Sequence, residues 1–75
     1  MKLVSISGQE CKKVLESAGF YFVRQKGSHI IMRKSNPFYQ LVIPDHKALD
    51  KGTLRAIIKQ SGLSVEEFNE RLAAI

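Results

Sequence analysis

The chain has 75 residues, 44% of them apolar and 25% charged, with one cysteine and a formal net charge of +5. A chain this short buries only about 60% of the surface it exposes when unfolded, which excludes a large cofactor-binding sheet, a barrel or two cooperating domains. A lone Cys11 excludes an intramolecular disulfide and a cysteine-built zinc site, and no apolar run approaches the ~20 residues of a membrane span.

In chain order, Ser7-Gly8-Gln9-Glu10 predicts a capping box, and Cys11, Val14, Leu15 and Ala18 form one apolar helical stripe behind it. Gly19 is placed to close that helix in a left-handed conformation, with Phe20 making the apolar contact after it. Phe20 to Gln25 is rich in aromatic and branched residues and predicts a strand, with Lys26-Gly27 as the turn. Ser28 to Lys34 predicts a second strand, Ile30 and Met32 on one face and His29, Ile31 and Arg33 on the other. Ser35-Asn36-Pro37 is a loop signal, and Phe38 to Ile43 predicts a third strand stopped by Pro44.

After Pro44-Asp45-His46 the period becomes helical, with Leu54, Ile57 and Ile58 on one face and Gly62 as the stop. Ser64-Val65-Glu66-Glu67 is a second capping box before a short helix that turns Phe68 and Leu72 inward. The expected fold class is therefore α+β: one α-β-β-β-α domain over residues 1–75, with a three-stranded antiparallel sheet and a short C-terminal helix. The helices should cover one face of the sheet and leave the other to solvent. No signal-peptide core opens the chain, so a reducing, cytoplasmic setting is expected.

The charge is unevenly spread. Residues 1–59 hold eleven Lys or Arg and four Asp or Glu, a net of +7, whereas Arg71 against Glu66, Glu67 and Glu70 makes the tail −2. No acid falls between Glu16 and Asp45, and Arg24, Lys26, Arg33 and Lys34 lie in that stretch. A basic middle favours a polyanionic partner such as nucleic acid.

Gly27-Ser28-His29 is the segment where chemistry is most plausible. A histidine at a strand start beside a hairpin glycine can meet solvent and ligand, and an imidazole suits proton transfer near neutral pH. Arg24, Lys26 and Arg33 would favour a phosphate beside it. From spacing alone, an ordinary exposed strand histidine is the favoured reading. His46 reads first as a loop residue helping to start the next helix, with a second acid–base group or a ligand beside Asp45 as the alternatives. The two histidines lack the helical spacing of a zinc protease and the acids form no cluster, so no metal site is expected. Cys11 on the apolar stripe reads as core, and Ser28 has no base but His29 to activate it. Residues 53–72 have the outline of a helix-turn-helix, but Glu66, Glu67 and Glu70 would face phosphates with repulsion. That tail suits a protein contact or closure of the core.

Together, Ile6-Ser7-Gly8, Ala18-Gly19-Phe20, Arg24-Gln25-Lys26-Gly27-Ser28-His29, Val42-Ile43-Pro44-Asp45-His46, Lys51-Gly52-Thr53-Leu54-Arg55-Ala56-Ile57 and Ser61-Gly62-Leu63-Ser64-Val65-Glu66-Glu67-Phe68 resemble the HicA toxins. The likeness runs over nearly the whole chain, in the family's order and spacing. It implies a double-stranded-RNA-binding-domain-like fold, in agreement with the order read from the residues. It also implies a toxin endoribonuclease, an mRNA interferase, held inactive by a HicB-like antitoxin and needing no small-molecule cofactor. The family's catalytic histidine falls on His29, with Gly27 and Ser28 matching beside it. His46-Lys47 departs from relatives that carry a glycine after this histidine, and the resemblance carries no role over to His46. On this reading Arg24, Lys26, Gly27, Ser28 and Arg33 contact the RNA. The competing class is a non-catalytic reader of double-stranded RNA, which would bind shape and phosphates over roughly 16 base pairs.

Overall fold

Residues 5–75 are described by the computed structural model, and the stripes and branched runs of the sequence become six elements. These are α1 (Gly8–Ser17), β1 (Tyr21–Lys26), β2 (His29–Lys34), β3 (Tyr39–Pro44), α2 (Lys51–Ser61) and α3 (Val65–Ala73). The expected α-β-β-β-α order with a terminal helix is observed. The expectation about the chain's opening falls partly on residues 1–4, outside the described residues.

Each helix end has a local cause. Ser7 Oγ accepts from the Glu10 amide at 3.1 Å while Glu10 Oε1 accepts from the Ser7 amide at 2.9 Å, so the first capping box is complete. At the other end of α1 the Gly19 amide donates to Glu16 and the Phe20 amide to Leu15, with Gly19 at φ 99°. This is the six-to-one and five-to-two pairing of a Schellman stop, and Phe20 is buried as its apolar contact. Ser64 and Glu67 form the second box at the head of α3. Helix α2 starts only at Lys51, because the true cap is Asp50: its carboxylate accepts from the Thr53 amide at 2.8 Å and from the Thr53 hydroxyl at 2.9 Å. Asp45 to Asp50 is irregular backbone.

Two of these caps make stability pH-dependent. Hydrogen bonds from the Thr53 amide and hydroxyl hold the Asp50 carboxyl below its ordinary 3.8, and the same contacts from Ser64 hold Glu67 below 4.5. A carboxyl depressed on folding stabilises the folded state above its ordinary value, and that contribution is lost as pH falls through the lowered one. These two carboxyls should therefore leave the melting temperature flat from about pH 5 to neutrality and lower it on the acid side. Asp50→Asn keeps an acceptor but cannot titrate. It should flatten part of that acid limb in a series of thermal melts; an unchanged limb would show that these caps do not set it.

The strands form one antiparallel sheet in the order β1-β2-β3. Ile30 and Met32 of β2 and Leu41 and Ile43 of β3 are buried, and they face the helices. Leu15 and Val14 from α1, Leu54, Ile57 and Ile58 from α2, and Phe68 from α3 close the core over them. Cys11 lies in this core with no exposure, and burial pushes its thiol up to about 12.

Every strand boundary but the Lys34 end of β2 differs from expectation by one residue. Lys26 is the last residue of β1 and the turn is Gly27-Ser28; a glycine at φ 59° in the first central position is the pattern of a type II′ hairpin turn. Phe38 lies in the β2–β3 turn and is exposed. Pro44 ends β3 instead of stopping it from outside, which an edge strand tolerates because its outer side needs no donor.

Helices α2 and α3 do not present a groove-reading pair. Phe68 is buried, Arg71 Nη1 donates to the Ser17 carbonyl at the end of α1 at 2.8 Å, and Glu66, Glu67 and Glu70 are exposed. The tail closes the core against α1.

Candidate functional site

The uncovered sheet face is built by strand periodicity. Residues directly opposite one another in an antiparallel ladder share a face, so the register defines three rows across it. The first row is Lys26–His29–Pro44, the second Arg24–Ile31–Val42, and the third Tyr21–Arg33–Gln40. Arg24 shares the face of Lys26 by strand alternation, and a bulge between Phe22 and Arg24, which inserts Val23 into β1, brings Tyr21 rather than Phe22 onto that face. All three cations singled out in the sequence thus share one face with His29. Tyr21 and Val42 are exposed there and Ile31 is half-buried, so apolar and aromatic surface lies between the charges.

The rows separate the cations. Lys26 is the direct cross-strand neighbour of His29, and Arg24 is one row on. Arg33 is four residues along β2 from His29, about 13 Å at the rise of a strand. Its Nε donates to Gln40 Oε1 at 2.7 Å. Lys26 and Arg24 are therefore placed to reach a phosphate at His29, whereas Arg33 is placed to meet a more distant part of an extended ligand.

His29 is exposed at the first position of β2, immediately after the turn, and Gly27 and Ser28 are exposed beside it. The backbone leading into it is held by the segment after β3. The Asp45 amide donates to the Ser28 carbonyl at 2.7 Å, and Gln25 Nε2 donates to the Gly27 carbonyl at 3.0 Å and to Asp45 Oδ2 at 3.1 Å. Gln9 Nε2, from the first turn of α1, donates to Asp45 Oδ1 at 3.0 Å. Helix α1 comes this close because Gly8 has no side chain: a Cβ there would overlap the Pro44 carbonyl oxygen and stand 3.0 Å from the Asp45 Cα.

His46 is exposed and contributes through its backbone, its carbonyl accepting from the Gly8 amide at 2.9 Å. Its ring lies near enough to Asp50 to help hold that carboxyl down, as a lesser contribution after the Thr53 hydrogen bonds. Among the described residues, no group of three or more His, Cys, Asp or Glu side chains is arranged to hold a metal ion.

Two features were not singled out in the sequence. Tyr21 and Val42 join the face only through the register of β1 and β3. Lys51, Arg55 and Lys59 form a second exposed basic stripe along α2, and their i, i+4, i+8 spacing was a visible signal for it.

A family model for the HicA toxin of bacterial toxin–antitoxin matches residues 8–63, from the start of α1 to just beyond α2. That span contains all of the candidate residues on the sheet face. No curated protein matches the chain significantly.

Proposed function

The chain belongs to the HicA toxin family of bacterial toxin–antitoxin systems, and on that premise we propose that it is an endoribonuclease that cleaves messenger RNA. Membership implies a partner antitoxin; its occupant of that role is a HicB-like protein, and the setting is the cytoplasm. The observation that carries the reading is the first row of the open sheet face, where exposed His29 faces Lys26 with Arg24 one row behind.

RNA brings its own nucleophile. Its 2′-hydroxyl attacks the adjacent phosphorus, a 2′-oxygen–phosphorus bond forms, and the bond to the 5′-oxygen breaks. One proton leaves the 2′-oxygen and one must reach the 5′-oxygen. His29 serves one of these transfers, and positioned acid–base groups contribute on the order of 10²–10⁴-fold. Lys26 and Arg24 stabilise the charge that grows on the phosphoryl oxygens. Arg33 and exposed Tyr21, two rows away, hold the strand beyond the cleaved bond by charge and stacking.

Purified protein incubated with labelled single-stranded RNA in EDTA should give fragments. Gel retardation without fragments, tighter for duplex than for single strands, would instead identify a double-stranded-RNA reader built on the same α-β-β-β-α order. Association with an acidic antitoxin should also slow as salt rises, because exposed charges farther apart than about 8–10 Å are screened at physiological ionic strength. A salt-independent association rate would move that interface to apolar surface or to the acidic tail.

A further inference from the structure

The turn before His29 is gripped both from its own hairpin and from outside it. A two-residue hairpin turn ordinarily has only its strand ladder behind it. Here both turn carbonyls are engaged, Gly27 by Gln25 Nε2 at 3.0 Å and Ser28 by the Asp45 amide at 2.7 Å. The Asp45 carboxylate then binds the grip together, its Oδ2 accepting from Gln25 at 3.1 Å and its Oδ1 from Gln9 at 3.0 Å. Gln25 uses both hydrogens of its amide nitrogen. A carboxylate is acceptor-only at both oxygens, so it can receive two amide donors from opposite sides. An asparagine in its place accepts at one oxygen and turns a second NH₂ group against one of the glutamines.

We propose that Asp45, held by Gln9 and Gln25, is a positioning residue that fixes the Gly27-Ser28 turn and through it the placement of His29. The inference rests on the reading of His29 as the acid–base group. Each Asp45 oxygen accepts from a glutamine, and the role assigned to the carboxylate is to hold the turn, not to act on the RNA. Reactive groups need placement within about 0.5 Å, and a shift of about 1 Å costs up to 10²-fold in rate. The grip joins three elements, so the turn is located relative to α1 and β3 as well as to β1.

The test is Asp45→Asn, nearly isosteric, compared with the wild type in two measurements. In cleavage assays, kcat should fall about tenfold or more, while the dissociation constant for an RNA blocked by 2′-O-methyl groups stays within about twofold. Without RNA, the ¹⁵N order parameters of Gly27, Ser28 and His29 should drop from about 0.85 towards 0.6. A turn that stays rigid in the variant overturns the proposal, whatever the RNA does. So does a kcat that is unchanged, or that falls in step with blocked-RNA affinity and with the melting temperature. If the turn loosens but the wild type cleaves no RNA, the grip stands and the ribonuclease reading is what fails. Gln25→Leu removes the shared donor and should reproduce the loosening, guarding against a fault peculiar to asparagine.

Discussion

His29→Ala should lower RNA cleavage by about 10²–10⁴-fold, with the fold left intact. The side chain is exposed at the head of β2, so truncation opens no cavity, and an exposed substitution of this kind changes stability by about 0.5 kcal/mol or less. The backbone at this position is held by the ladder and by the grip on the preceding turn, neither of which uses the imidazole. The loss should therefore appear in kcat, with binding of a blocked RNA little changed, because Lys26, Arg24 and Arg33 remain. Single-turnover cleavage of a labelled RNA in EDTA, beside a thermal melt of each protein, reads both parts. Cleavage that survives the substitution removes His29 from the chemistry. Loss of wild-type cleavage on adding EDTA would instead put a metal ion into the reaction.

Gly8→Ala should be the most damaging change of a single methyl group, destabilising by about 3 kcal/mol. A Cβ at Gly8 meets only backbone: the Pro44 carbonyl oxygen in overlap, the Asp45 Cα at 3.0 Å and the Pro44 carbonyl carbon at 3.1 Å. No flexible side chain is present to give way. The first turn of α1 must retreat, which breaks the 2.9 Å hydrogen bond from the Gly8 amide to His46 and pulls Gln9 off Asp45. For a domain of this size 3 kcal/mol corresponds to a melting temperature lower by roughly 12–24 °C. Gly27→Ala is the informative contrast, since nothing lies within 4 Å of a Cβ there and only the φ of 59° opposes it. That strain costs about 1–3 kcal/mol. Differential scanning calorimetry of the two variants should rank Gly8→Ala lower, and the reverse order would mean that α1 is free to move away from the loop.

Both capping boxes were legible because their hydrogen bonds span three residues, and Ser7–Glu10 and Ser64–Glu67 carry that spacing on the surface of the sequence. The faces of β2 were legible for a similar reason: alternation alone puts His29, Ile31 and Arg33 opposite to Ile30 and Met32. The start of α2 was not, because the helical period of Leu54, Ile57 and Ile58 says nothing about which of the preceding polar residues bends back to cap it. Val23 was also invisible as a bulge, since a run of aromatic and branched residues reads as a regular strand. Yet the bulge decides that Tyr21, and not Phe22, shares the face of Arg24 and Lys26.

The amino-acid sequence by itself determined the element order, the two capping boxes, the core stripes, the basic middle of the chain with its acidic tail, and the likeness to the HicA family. All of these rest on periodicity, on short spacings or on composition, which a linear chain displays directly. Only the tertiary structure decided that Tyr21 and Val42 join the face of His29, that Gly8 must lack a side chain, and that Asp45 joins α1 to the hairpin. The hydrogen bonds of Asp45 span 36 residues to Gln9 and 20 to Gln25, and contacts at such separations follow no period. They arise when the packed core brings α1, the Gly27-Ser28 turn and the end of β3 to one corner of the molecule. At that corner, one exposed histidine gains a fixed place beside two cations.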